Sequence, residues 1–114
     1  MAIDEAVTYF VRYQGITRDP ATFVEDYSGR HVAILSRWPG IRRIVLHVPT
    51  QWHDPHPVRP DRSDLLTEMT FANEEAFREA LRSEARTLAR LDTVNLKHGD
   101  ALVTHQAMRS LRYL

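Results

Sequence analysis

Phe23, Tyr27 and His31 recur at four-residue intervals, a spacing that stacks side chains along one face of a helix. The last of the three carries an imidazole, which titrates near neutrality and can act as general acid or base. Tyr27, one turn earlier, brings a hydroxyl that can orient this ring or a ligand oxygen. A histidine on an apolar row also serves as a core residue bonded to a carbonyl, so two uses stand open for His31. Glu68 is the second candidate. It sits mid-run in Leu65–Phe71, sharing a strand face with Leu66 and Thr70 and opposed by Thr67 and Met69. A carboxylate there is paired, lines a polar cavity, or faces water at an edge; a central strand implies the cavity. His31, Glu68 and Tyr27 are thus the candidate catalytic residues. His47 and His105, in the flanking β-rich runs, are candidate ligand-binding residues of the same cavity, and Trp52 is a third, on a loop that reads as its lid.

Other chemistries find little support. His53, Asp54 and His56 put two imidazoles and a carboxylate within four residues, but Pro55 and Pro57 hold that backbone extended and nothing fixes a coordination geometry, so no metal is expected. The glycines at 15, 29, 40 and 99 are too scattered for a phosphate-binding loop, and no cofactor is expected. With no cysteine, thiolate and disulfide chemistry is excluded. Fifteen basic and fifteen acidic residues cancel, which removes the electrostatic case for nucleic acid or an anionic membrane as partner. No apolar run of about 18 residues is present to span a bilayer. Asp4 and Glu5 stand where a leader would carry basic residues, so a cytoplasmic protein is expected. Arg78, Arg82, Arg86 and Arg90 read as a solvated helix face offset by Glu74 and Glu79.

The 114 residues make one domain, residues 1–114. Residues 7–13 mix β-branched and aromatic side chains and end near Gly15, as a strand does. Asp19 before Pro20 is a helix N-cap with proline in the first turn, and Pro39-Gly40 must end that helix. Residues 41–48 form a second strand. Residues 49–63 hold four of the six prolines and form a loop long enough to act as a lid. A third strand follows over 65–71. Asn73 caps a helix over 74–90 whose inward row is Phe77, Leu81, Ala85 or Glu84, Leu88 and Leu91. A connector over 92–100 leads to a last strand at 101–108. The order β-α-β-β-α-β predicts an α+β ferredoxin-like sandwich, both helices on one face of a four-stranded antiparallel sheet. The other sheet face, expected to be apolar, predicts a homodimer through facing sheets that encloses a cavity.

Phe23, Tyr27 and His31, then Pro39-Gly40, then the run from Asp64 through Glu68 to Phe71-Ala-Asn-Glu-Glu, and Asp92, together resemble the EthD-type pattern of the dimeric α/β barrel superfamily. The chain is similar as well to that superfamily's muconolactone methylisomerases, with a histidine eight residues before the Pro-Gly turn and a Glu in the strand ending in Phe. The resemblance implies cofactor-free proton transfer on a small cyclic or aromatic metabolite, of isomerase or oxygenase-accessory type, with His31 helped by Glu68 or Tyr27. Two alternatives accompany it. One is an accessory protein that binds a small ligand without turnover. The other is a haem-binding oxygenase with His31, His47 or His105 as axial ligand.

Overall fold

The computed structural model describes residues 2–114, with side chains from Ala6 onward; the side chains of Asp4 and Glu5 lie outside the described residues. Four strands, β1 (Ala2–Gln14), β2 (Ile41–His47), β3 (Ser63–Phe71) and β4 (Leu102–Arg112), form one antiparallel sheet in the order β2-β3-β1-β4. This is the ferredoxin-like arrangement expected from the order of elements, with β1 and β3 central. β1 presents Val7, Tyr9, Val11 and Tyr13 to the core, and β3 presents Leu65, Thr67, Met69 and Phe71, the period of two that a half-covered sheet requires.

The first crossover begins where the Asp19-Pro20 pair predicts. The Asp19 carboxylate accepts hydrogen bonds from the Thr22 N–H at 3.1 Å and the Thr22 hydroxyl at 2.8 Å, and α1 runs Pro20–Asp26. It continues without a break through a π-helical turn, Tyr27–His31, into α2, Val32–Leu35. The residue spacing explains this turn. A regular α-helix drifts about 40° for every four-residue step, so Phe23, Tyr27, His31 and Leu35 would wind well off a common face. All four are buried, because one turn with an extra residue takes up that drift. Gly40, at φ +74° with the Ala76 Cβ 3.5 Å from the position a Cβ would take, then reverses the chain into β2.

The second crossover departs from expectation. In place of one helix over 74–90 there are two: α3 (Glu74–Leu81), capped by Asn73 Oδ1 accepting from the Ala76 N–H at 2.9 Å, and α4 (Glu84–Leu96), capped by Ser83 Oγ accepting from the Arg86 N–H at 3.1 Å. The second cap restarts the helix on a new face. Leu88 and Leu91, expected inward, are 44% and 65% exposed. The inward row of α4 is instead Ala85, Ala89, Asp92 and Leu96. Two alanines bring the helix close to the sheet, and a single acid is carried inside with them.

The helices leave one sheet face uncovered. Its residues are Phe10, Val45, Leu66 and Met108 interspersed with Arg12, Arg43, Glu68 and Gln106, so this face is mixed rather than the apolar surface expected. The loop of residues 48–62 is tied to it by Arg12, which contacts Asp61 Oδ2 and Ser63 Oγ, each at 2.5 Å.

Candidate functional site

Between the helices and the sheet lies a small cavity that His31 and Tyr27 reach from the π-helical turn and His105 reaches from β4. Its space, about 30 Å³, has room for one or two water molecules. Arg86 and Arg90 of α4 border it, and because Arg86 is half-buried and Arg90 exposed, these flexible side chains form the part of the wall that can give way to a ligand.

His31 is 4% exposed, and its Nδ1 lies 3.0 Å from Oδ2 of Asp92. Asp92, 5% exposed, also accepts from Asn95 Nδ2 at 2.9 Å and faces Arg30 Nε at 3.0 Å. Burial by itself would raise the Asp92 carboxyl, but the hydrogen bonds from His31 and Asn95 and the Arg30 and His31 charges outweigh it and hold the group below the ordinary aspartate value. An ionised carboxylate only accepts, so the proton of a neutral His31 ring sits on Nδ1 and Nε2 carries the free lone pair. This is the tautomer of a base. The Tyr27 ring packs on the imidazole with centroids 4.8 Å apart, and its hydroxyl accepts from Thr67 Oγ1 at 2.8 Å.

The cavity's other end is built on Tyr9. Its hydroxyl meets His105 Nδ1 at 2.5 Å. Burial first, then the charges of Arg90 and Arg86, lower the His105 pKa, so the neutral ring accepts a hydrogen bond from the phenol O–H. Burial also raises Tyr9, against the pull of Arg86 and Arg90. Burial pushes Tyr13 up to about 12 and Tyr27 well above its ordinary value. In the unfolded chain these phenols ionise from about pH 10, whereas the folded state keeps its protons. Their stabilisation is therefore complete below about pH 10 and is lost as pH rises through the folded values. Melting temperature should fall steeply between about pH 10 and 12; in a Tyr113→Phe variant, which lacks the exposed tyrosine, phenolate absorbance should appear only on unfolding, and early, non-cooperative absorbance in that variant contradicts the buried placement.

The expectation of one cavity for all candidates is corrected. Glu68, opposite Phe10 and Val45, faces the uncovered side of the sheet, keeps 24% exposure and lies 3.4 Å from His47 Nε2. Trp52 is 60% exposed and lines a groove of about 340 Å³ with His47, Arg12 and Leu66 on that same side. Strand parity separates the two sets: Val11, the core-facing partner of His105, and Glu68 belong to opposite faces. Arg86 and Arg90, expected on a solvated face, border the cavity, while Arg78 pairs with Glu74 at 3.7 Å as expected. Asp92 stands in the family pattern without an assigned role, and Tyr9 and Trp38 are not among the sequence candidates. Asp92 had one local signal, an acid in the 4-3-4 spaced row Ala85, Ala89, Asp92, Leu96. Among the described residues no group of three or more His, Asp or Glu could hold a metal.

The family model of the EthD domain matches residues 17–95. No curated protein matches the chain. Among solved structures, an ethyl tert-butyl ether D (EthD) family protein of Bacillus halodurans is similar with TM-score 0.72 and 19% identity, over 93% of this chain and 99% of that one. SnoaB, a cofactor-independent oxygenase from Streptomyces nogalater, is similar with TM-score 0.61 and 22% identity, over 96% and 97%. A dimeric protein of ferredoxin-like fold from Bacteroides fragilis is similar with TM-score 0.57 and 10% identity, over 93% and 99%. At these identities the likeness establishes the fold.

Proposed function

Starting from the chain's membership of the EthD family, we propose that it acts on a small cyclic or aromatic metabolite by cofactor-free proton transfer, with His31 as the base. The buried His31–Asp92 pair beside the cavity carries this reading. A carbon next to a carbonyl loses its proton to His31 Nε2, and the C–H electron pair stays on the ligand as an enolate. The imidazolium so formed faces the Asp92 carboxylate, which stabilises it. Returning the proton at another carbon gives an isomerase; addition of dioxygen at the enolate carbon, with the imidazolium giving its proton to the peroxide oxygen, gives a hydroperoxide, the first product of an oxygenase, the activity named for SnoaB. Tyr27 acts by packing on the imidazole and holding its plane. The test is deuterium exchange, followed by NMR, of the α-protons of 2-tetralone, a small bicyclic ketone. The protein should accelerate exchange well above buffer; exchange at the buffer rate overturns the proposal and leaves the ligand-binding accessory role.

The functional unit in this proposal is a homodimer formed through the uncovered sheet faces, as the dimeric relative of the same fold suggests. Phe10, Val45, Leu66 and Met108 would be covered, and Glu68, His47 and Trp52 would face the partner sheet. Light scattering should give about twice 13.2 kDa; a stable monomer at micromolar concentration removes this part of the proposal.

A further inference from the structure

Arg86 and Arg90 make no ion pair with an acid among the described residues, although both border a cavity with aromatic walls. On the same cavity, Trp38 is 4% exposed and its Nε1–H has no hydrogen-bond partner, the one such buried side-chain atom among the described residues. A buried donor left unmade costs about 1–3 kcal/mol, so its retention beside two uncompensated guanidinium groups calls for an acceptor. The Tyr9 hydroxyl, which meets His105 Nδ1 at 2.5 Å, also interacts with Arg86, but a neutral phenol leaves the charge of both guanidinium groups unmatched. The nearby acid, Asp92, is engaged by His31, Asn95 and Arg30. The acceptor must come from outside the chain and carry negative charge.

We propose that Arg86, Arg90 and Trp38 Nε1 form a subsite for the anionic oxygen of a planar aromatic ligand, a carboxylate or a phenolate. Tyr9, Tyr13 and Trp38 offer flat faces to the ring, and a guanidinium reads a planar oxyanion through paired N–H donors. The space of about 30 Å³ takes the oxyanion end against Trp38 Nε1 and the half-buried Arg86, while the exposed Arg90 side chain swings out to admit the ring and folds back over it with its guanidinium toward the oxyanion. The inference rests on the reading of this cavity as the ligand site, and it adds the charge of the ligand and the residues that select it.

The test compares 2-naphthoate with 2-naphthamide, near-isosteres that differ in charge, by isothermal titration. The parent protein should bind naphthoate about tenfold or more tighter than the amide. The double variant R86Q/R90Q should lose about tenfold in naphthoate affinity and leave the amide within about twofold. W38F, which keeps the ring and removes the donor, should weaken naphthoate alone. Should the double variant not fold, R90Q at the exposed position gives the same comparison. Equal affinity for the two probes, no binding of either, or an arginine variant with unchanged naphthoate affinity overturns the subsite. His31→Asn separates the two proposals, since it should abolish tetralone exchange yet keep naphthoate affinity within about twofold. Naphthoate selectivity without exchange removes the proton-transfer reading and keeps the subsite; exchange without selectivity does the reverse.

Discussion

Asp92→Asn should lower the rate of ligand proton exchange by about 10²–10⁴-fold while leaving a folded protein. The amide has the carboxylate's shape, but it can donate to His31 Nδ1 as readily as accept from it. When it donates, the proton moves to Nε2 and the base is lost; in either orientation the imidazolium loses its counter-charge. His31→Asn should reduce exchange to the buffer rate. Stability should fall by about 1–3 kcal/mol in Asp92→Asn, because the site is buried and its hydrogen bonds to His31 and Asn95 are charge-assisted. Arg30, with its side chain 68% exposed, returns to water without a comparable penalty. Thermal melts beside the exchange assay decide the matter. A variant that melts well below the parent yet exchanges at the parental rate shows that the pair only holds α4 against the π-helical turn.

Deleting Gly29 should cost about 1 kcal/mol or less in stability and about 10²-fold in proton exchange. A one-residue deletion inside an ordinary helix rotates everything beyond it by about 100° and takes the core face apart. Here the buried row runs Phe23, Tyr27, His31, Leu35 at intervals of four, and removing Gly29 changes these to four, three and four, the spacing of a regular α-helix. The π-helical turn becomes an α-turn, the face is kept, and a glycine unfavourable in a helix by about 0.5–1 kcal/mol is gone. His31 meanwhile moves about one residue's rise, 1.5 Å, along the axis toward Tyr27, which displaces Nε2 and strains the Asp92 contact. Retained stability with lost exchange means that the turn exists to place the histidine. A loss above about 3 kcal/mol shows instead that packing requires the turn, and an unchanged exchange rate shows that it has no part in the chemistry.

Much of this fold is local physics and so was readable along the chain. Alternating Val and Tyr residues make β1, Asp19 and Asn73 start helices because their side chains accept the first free N–H groups, and Pro39-Gly40 turns the chain with glycine at positive φ. The order of these elements leaves the ferredoxin-like topology as the natural arrangement. The row Phe23, Tyr27, His31 already marked one helix face, and its four-residue interval held the signature of the π-helical turn.

What the row could not show was its partner. Asp92 meets His31 across 61 residues of chain, and no local rule points one to the other. Ser83 restarts the second helix and turns Leu88 and Leu91 outward while Asp92, Arg86 and Arg90 reach the cavity, a choice made when alanines rather than leucines allow α4 close to the sheet. Strand alternation placed Glu68 with Leu66 and Thr70 but was silent on which face the helices would cover. The chain determined the elements and the two faces of each strand; packing alone decided that His105 joined His31 beneath the helices and that Glu68 joined His47 on the other side, because a face becomes interior only when a crossover covers it.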